Sequence, residues 1–296
     1  MNPRSRTGMA LADAVRSQFR EPPIMDAASK PPPLALLEAS GVTLQYKTPR
    51  YLVTATYQVD FRVHRGDRYV ILGPSGCGKS TLLKAVGGFM APVEGTIRIR
   101  GHRITGPGPD RMMVFQEFEQ LMPWKTVYQN VLFPMKVTHK FARTEVAARA
   151  QAAIEKVKLT SFRDVYPHML SGGMKMRVAI ARAMALEPDV LLMDEPFAAL
   201  DALTRRTMQQ ELLSLWDQLH FTMLFVTHSI EEAILVGSRI LVLSPHPGRV
   251  RAELDSSKLN FDNIDSPEFG AMSKRIHHLL FGDEGHRAGP HEEAIA

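Results

Sequence analysis

Cysteine and long apolar runs are two features that this sequence lacks. With one cysteine in 296 residues, a disulfide framework is excluded and no zinc site can be built from thiolates. No apolar run approaches the roughly 18 residues that a bilayer-spanning helix needs. The N-terminus also has no apolar core of about 7 residues and no cleavage pattern, so it is not typical of a secretory signal. These absences favour a cytoplasmic protein that is either soluble or attached to a membrane by a partner.

A concentrated cluster of basic residues is absent too. The formal net charge is +5 and the isoelectric point is near 9.3, but lysine and arginine are spread along the chain. We therefore expect a mildly basic, solvated surface rather than a nucleic-acid footprint. Internal repeats, heptad runs and long low-complexity tracts are not found either.

A glycine-rich segment between a strand pattern and a helix pattern carries the strongest motif. It fits G-x-x-x-x-G-K-[ST], in which glycines let backbone N–H groups surround an anion at a helix N-terminus. Lys79 is expected to reach the β- and γ-phosphates of a nucleotide, and the Ser80 hydroxyl to ligate Mg²⁺. This segment, the phosphate loop, comprises Gly73, Pro74, Ser75, Gly76, Cys77, Gly78, Lys79, Ser80 and Thr81.

Strand and helix patterns predict a mixed α/β protein. Residues 1–33 end in three prolines and are predicted to be a loose extension. The pieces at 34–39, 42–46 and 54–63 predict three strands of an antiparallel sheet beside a parallel one.

Helical spacing predicts a helical insert and a late helix. Residues 126–131 and 144–157 have helical spacing, the second with Thr144 as its expected N-cap. This region is predicted to lie between two parts of the parallel sheet. A last helix is predicted over 266–281, with Ser266 as the N-cap.

Polar residues follow the predicted parallel strands. Gln116 lies at a strand end, where its amide could reach Mg²⁺ and an attacking water, although such a residue taken alone is more often a solvated loop glutamine. Asp194 is expected to hold the metal's water shell, and Glu195 to accept a proton from the water, because alternate strand residues point to opposite sides. A lone histidine at a strand end is usually structural, but the motifs that precede His228 favour a catalytic role.

Two further segments are candidates for nucleotide contact. Ser171, Gly172 and Gly173 begin a helix and form a second possible anion site, with a plain N-cap as the alternative. Tyr46 is a candidate to stack on adenine; an ordinary cross-strand tyrosine is the alternative, and Tyr51 is the competing candidate.

The ordered set of these motifs resembles the ATPase subunit of ABC transporters. The resemblance covers about residues 34–255, and its distinguishing element is Leu-Ser-Gly-Gly at 170–173. It implies an α/β fold of the P-loop NTPase (RecA-like) type, with a parallel sheet core, an antiparallel β subdomain and an inserted helical subdomain at about 117–187. Residues 256–296 would then be a C-terminal tail with one helix.

The resemblance also implies roles for the site residues. Two subunits would face head to tail, with each ATP between the phosphate loop of one and residues 171–173 of the other. Glu195 would be the general base, and His228 would contact the γ-phosphate and orient the water. Asp201 would couple the two sites across the interface, and Gln116 would sense Mg²⁺ and relay movement to a membrane partner.

Local sequence at 121–127, 170–174, 228–233 and 243–249 resembles importer subunits of the nitrate, sulfonate and taurine group. The expected function is therefore ATP hydrolysis that drives import of a small anion, with ATP and Mg²⁺ as cofactors. The expected partners are a second ATPase subunit, identical or related, and membrane permease subunits, with a solute-binding protein acting indirectly and no nucleic acid. The expected location is the cytoplasmic face of the plasma (inner) membrane.

Two other classes of P-loop protein fit the sequence less well. Soluble ABC ATPases that act on nucleic acid or ribosomes usually have two cassettes or a long coiled coil, whereas this chain has one cassette and no heptads. The signature at Ser171 and the histidine at 228 argue against a P-loop kinase or GTPase.

Overall fold

The computed structural model describes residues 35–47, 51–115 and 120–282. The predicted N-terminal extension and the end of the predicted C-terminal tail lie outside these residues. The strands of the described part are β1 (Leu37–Lys47), β2 (Leu52–Val63), β3 (Arg68–Leu72), β4 (Glu94–Ile99), β5 (His102–Arg103), β6 (Arg111–Val114), β7 (Val190–Asp194), β8 (Thr222–Thr227), β9 (Arg239–Leu243) and β10 (Val250–Asp255). Its α-helices are α1 (Lys79–Val86), α2 (Val127–Thr138), α3 (Arg143–Lys156), α4 (Gly172–Met184), α5 (Ala202–Leu219), α6 (Ile230–Val236) and α7 (Pro267–Phe281).

The larger sheet has the strand order β10-β9-β3-β8-β7-β6 among the described residues. All of its strands are parallel except β10, which pairs antiparallel with β9. Both faces of this sheet are buried, which explains why its strands are near-continuous apolar runs. In β3, Tyr69 and Ile71 face one core, and Val70 and Leu72 face the other. The predicted parallel core is confirmed, and its parallel strands all end at the same edge.

The smaller sheet is antiparallel, in the order β2-β1-β4-β5. The antiparallel sheet is thus confirmed, but the prediction of three strands before residue 63 is wrong, because the pieces at 34–39 and 42–46 contribute to the single strand β1. Gly41 has a φ of +59°, and the pairing register with β2 shifts between Ala39 and Val42. The glycine therefore makes a bulge within one strand instead of a turn between two.

The helices form two layers on the larger sheet. One core lies between the two sheets and contains α1, whose Leu82 and Leu83 are fully buried. The other core covers the opposite face of the larger sheet with α2 to α7. In the described part of the chain, no helix is both long and apolar enough to cross a bilayer.

Two helices of the helical region begin with different caps. α2 begins after Thr126, which forms a capping box with Gln129. The prediction of Thr144 as an N-cap is wrong, because α3 already begins at Arg143 and its N-cap Ala142 has no side-chain acceptor. The helices α2, α3 and α4 lie between β6 and β7 in the chain, where a helical insert is predicted. The residue boundaries of the subdomains stay predictions.

The late helix α7 begins as the sequence predicts. Pro267 is its first residue, and the Ser266 hydroxyl accepts a hydrogen bond from the N–H of Phe269 at 3.2 Å. Serine at the N-cap and proline at the first helical position are favoured for this reason.

The loop at 244–249, between β9 and β10, joins the two sheets beside the phosphate loop. The N–H of Gly248 donates to the carbonyl of Ala55, and its own carbonyl accepts from the N–H of Tyr57, both at 2.9 Å. A Cβ atom on Gly248 would overlap the carbonyl oxygen of Cys77. Glycine at this position therefore allows the loop to lie directly against the phosphate loop.

We predict opposite stability changes for two glycine-to-alanine substitutions. Gly248→Ala should lower the free energy of unfolding by about 1–3 kcal/mol, because the added methyl group overpacks a rigid backbone contact. Gly270→Ala, at an open position inside α7, should raise it by about 0.5–1 kcal/mol. Urea unfolding of the two variants measures both changes, and a loss of stability at Gly270 equal to that at Gly248 would contradict the steric explanation.

Candidate functional site

The phosphate loop leaves β3 at Gly73 and becomes α1 at Lys79. Gly76 and Gly78 have φ values of +80° and +95°, in the left-handed region that favours glycine. A Cβ atom on Gly78 would also lie 2.6 Å from the carbonyl oxygen of Ala55 in β2. The loop thus needs its glycines for backbone conformation and for close contact with the smaller sheet.

Lys79 is held against this loop. Its side chain is only 4% exposed, and its Nζ donates to the carbonyl oxygens of Gly73 and Pro74 at 2.9 and 3.1 Å. Nζ also lies 3.8 Å from Glu195 Oε1. A buried ammonium group requires such partners, and they fix a cation beside the loop that is predicted to hold phosphate.

Ser80 and Asp194 connect α1 to the end of β7. The Ser80 hydroxyl donates to Asp194 Oδ1 at 2.7 Å, across 114 residues of sequence. Burial raises the pKa of the Asp194 carboxyl, while the hydrogen bond from Ser80 opposes that rise. Two side-chain oxygens of the predicted metal set are therefore in direct contact.

Glu195 lies one residue beyond β7, with a φ of +44°. Non-glycine residues rarely adopt this conformation, and it is enriched at functional sites. The N–H of Glu195 donates to the carbonyl of Val226 in β8 at 3.0 Å, and its Oε2 lies 2.8 Å from His228 Nδ1. The direction of the Glu195 side chain is not set by the alternation of strand residues, because β7 ends at Asp194. It is set by the left-handed backbone conformation of Glu195.

Five predicted residues therefore meet at the carboxyl edge of the adjacent strands β3, β8 and β7: Lys79, Ser80, Asp194, Glu195 and His228. The lysine and the N-terminus of α1 suit a phosphate group. The paired hydroxyl and carboxylate oxygens suit Mg²⁺, which prefers oxygen ligands. The carboxylate beside the imidazole can accept a proton from a water molecule.

Ser171 and Asp201 are N-caps of two other helices. At the start of α4, the Ser171 hydroxyl accepts a hydrogen bond from the N–H of Met174 at 3.3 Å. This is the geometry of a plain N-cap, the alternative to an anion site. Asp201 Oδ1 accepts from the N–H of Thr204 at 3.0 Å at the start of α5, and this bond lowers the pKa of its exposed carboxyl. The structure gives neither side chain a hydrogen bond to the cluster at the strand ends. Gly173 is buried beside Met208 of α5.

Both tyrosine candidates for adenine stacking are on the surface of the smaller sheet region. Tyr46 is 43% exposed near the end of β1, where it pairs with Val53, and Tyr51 is 65% exposed just before β2. Neither belongs to the cluster at the strand ends, and adenine stacking by Tyr46 stays a prediction, with Tyr51 as the competing candidate.

Gln116 lies outside the described residues, and Phe115 and Gln120, on either side of that gap, are hydrogen-bonded to each other. Gln120 accepts from the N–H of Phe115 at 3.2 Å and donates to the carbonyl of Phe115 at 2.8 Å. Arg182 of α4 donates to the carbonyl of Gln120 at 2.6 Å, and burial lowers the pKa of its guanidinium. The motifs found in the sequence include neither Gln120 nor Arg182. The available signal for Arg182 is an arginine among the apolar residues of α4.

The chain is similar to known proteins in sequence and in structure. The profile of the ABC transporter family matches residues 56–198. The taurine import ATP-binding protein TauB of Rhizobium johnstonii is 44% identical over 244 residues, which cover 80% of this chain and 92% of the relative. The nitrate import ATP-binding protein NrtD of Synechocystis sp. is 40% identical over 257 residues, which cover 84% of this chain and 96% of the relative.

Among solved structures, a dimeric ATP-binding cassette in a post-hydrolysis state, bound to ADP and Pi, is similar with a TM-score of 0.64. It is 32% identical, and the match covers 74% of this chain and 98% of that one. By its motifs, its fold and these relatives, the chain belongs to the ABC transporter family, in which it is an ATP-binding subunit that hydrolyses ATP.

Proposed function

We propose that this chain is the energy-coupling ATPase of an importer for a small anion such as nitrate, a sulfonate or taurine. The observation that carries the proposal is the cluster at the ends of β3, β7 and β8, which combines a cation, a hydroxyl, two carboxylates and an imidazole. Two relatives at 40% and 44% identity, a nitrate and a taurine import protein, support the solute class.

Within the site, the phosphate loop would bind the nucleotide's phosphates, with Lys79 turning from the loop carbonyls to the β- and γ-phosphates. Glu195 would accept the proton of the attacking water, and His228 would hold Glu195 and contact the γ-phosphate. Tyr46 would stack on the adenine.

The oxygen donors of Ser80 and Asp194 fit a magnesium ion, since they are 2.7 Å apart and both are hard ligands. Gln116 is the third proposed ligand. When bound, the ion would neutralise charge on the phosphates.

A shared site would explain the predicted second anion site at residues 171–173. Ser171 is exposed at the N-terminus of α4, and Asp201 is exposed at the N-terminus of α5. We propose that residues 171–173 contact the ATP held by the phosphate loop of the partner, and that Asp201 couples the two sites. The partner would be a second copy or a related chain, an arrangement that the dimeric solved relative supports.

The helical region is the proposed docking surface for the permease. Phe133 and Val137 are exposed one turn apart on α2, and the exposed Trp124 lies shortly before that helix. Grouped exposed apolar side chains are typical of protein interfaces. The coupling helix of the permease would bind here and hold the chain at the cytoplasmic face of the plasma (inner) membrane, while a solute-binding protein would act indirectly and no nucleic acid would be bound.

Replacement of Glu195 should separate nucleotide binding from turnover. Glu195→Gln removes the proton acceptor, so kcat for ATP hydrolysis should fall by about 100- to 10,000-fold, while MgATP affinity stays near the wild-type value. Phosphate release and equilibrium nucleotide binding measure the two quantities. Glu231→Gln, at an exposed position of α6, is the matched control and should keep normal turnover; near-normal hydrolysis by Glu195→Gln would remove Glu195 as the base.

Replacement of Ser171 should reduce ATP hydrolysis as well as stability, whereas replacement of an ordinary helix cap should reduce stability alone. Ser171→Ala and Ser266→Ala each remove an N-cap hydrogen bond and should each lower the free energy of unfolding by about 1 kcal/mol. Only Ser171→Ala should also reduce ATP hydrolysis, and it should do so without weakening nucleotide binding by the isolated subunit. Equal turnover of the two variants, or weaker binding by the Ser171→Ala monomer, would contradict the shared site.

Co-purification tests the transporter assignment as a whole. Tagged Glu195→Gln protein, extracted gently from native membranes with MgATP, should bring a polytopic permease with it. ATP hydrolysis by the wild-type complex in vesicles should then rise when taurine, an alkyl sulfonate or nitrate is supplied with the cognate solute-binding protein. If the protein is recovered only from the soluble fraction, with ribosomes or nucleic acid attached, its ATPase activity stands but its assignment to a transporter is overturned.

A further inference from the structure

Glu232 is a buried ionisable residue to which the proposed ATPase mechanism gives no role. It lies in α6, shortly after His228, and is only 8% exposed. Burial raises the pKa of its carboxyl, and hydrogen bonds from Thr227 and Gln209 oppose that rise. Since a buried carboxyl is costly unless it is well bonded, its contacts indicate what it holds in place.

On one side, Glu232 fastens the backbone around His228. Its Oε2 accepts a hydrogen bond from the hydroxyl of Thr227, the residue before His228. The same Thr227 oxygen accepts from the N–H of Ser229 at 3.0 Å, and the Ser229 hydroxyl accepts from the N–H of Glu232 at 3.3 Å. The residues before and after the histidine are therefore fixed to one another and to Glu232.

On the other side, Glu232 is bonded to α5. Its Oε1 accepts from Gln209 Nε2 at 2.8 Å, and Gln209 is itself buried. One turn earlier on α5, Arg205 donates to the carbonyls of Phe197 and Leu200 at 3.3 and 2.8 Å. These two carbonyls belong to the segment between Glu195 and Asp201, so one helix holds both that segment and, through Glu232, the backbone at His228.

We propose that Glu232 is a positioning residue for His228, and that Gln209 and Arg205 of α5 couple the orientation of this histidine to the segment that leads to Asp201. The proposal rests on the role proposed above for His228 in hydrolysis. In this proposal Glu232 does more than stabilise the core, because its hydrogen bond with Thr227 fixes the residue next to His228.

Kinetics of the full-length chain test the proposal. Glu232→Ala should lower kcat for ATP hydrolysis by about 10- to 100-fold, the scale expected for a misplaced catalytic group, with KM for ATP changed less than about threefold. Glu232→Gln should keep kcat within about threefold of wild type, because an amide can accept from Gln209 and donate to the Thr227 oxygen. Glu231→Ala, at the exposed neighbouring position, should leave both constants unchanged.

A double-mutant cycle separates positioning from general stabilisation. In a His228→Ala background, Glu232→Ala should cause little further loss of kcat, since the group on which it acts is gone. Losses that multiply would overturn the proposal, as would a wild-type kcat for Glu232→Ala. If His228→Ala alone keeps normal turnover, the role proposed for the histidine fails instead, so the two failures are distinguishable.

A second variant applies if Glu232→Ala does not fold. Thr227→Val removes only the bridging hydroxyl and keeps the β-branched shape of a buried strand residue. It should reproduce both the loss of kcat and its dependence on His228, and a wild-type kcat for this variant would overturn the proposal.

Discussion

The site depends on one constraint, the parallel pairing of β8 with β3 on one side and with β7 on the other. It sets Leu72 beside Thr227 and Val226 beside Asp194, so the chain segments that follow the three strands must emerge together. Because the sheet is buried on both faces, a slip of one residue would move every side chain of a strand to the wrong core. The packing of the sheet therefore also fixes the spacing of the cation, the carboxylates and the imidazole.

Much of the fold could be predicted because its signals are local. Apolar runs predict the buried strands, and the spacing of glycine, lysine and serine predicts the phosphate loop with its strand and helix. Serine followed by proline correctly predicts the start of α7 at Pro267. The sequence is less informative where one local pattern fits two structures. Gly41 is compatible with a turn or with a bulge, and the pairing of β1 with both β2 and β4 favours the bulge.

The site could be predicted as a set of residues but not as a set of contacts. The order of the motifs identified Lys79, Ser80, Asp194, Glu195 and His228. Nothing local indicates that Glu195 adopts a left-handed backbone or that Glu232 reaches Gln209, since these features arise from chain segments that meet only in the folded protein. The choice between a cap and an anion site at Ser171 could not be made from the sequence either, because serine and glycine at a helix start suit both roles; the structure shows the cap.

The position of β3 in the larger sheet has a consequence for synthesis. Both of its neighbours, β8 and β9, come from the later part of the chain, whereas β3 and the phosphate loop come from the earlier part. On the ribosome, the complete nucleotide motif is made long before either edge of its strand can be paired. A premature stop codon before residue 222 would thus yield a chain that keeps the full motif, cannot form the site, and carries an unpaired apolar strand that favours aggregation.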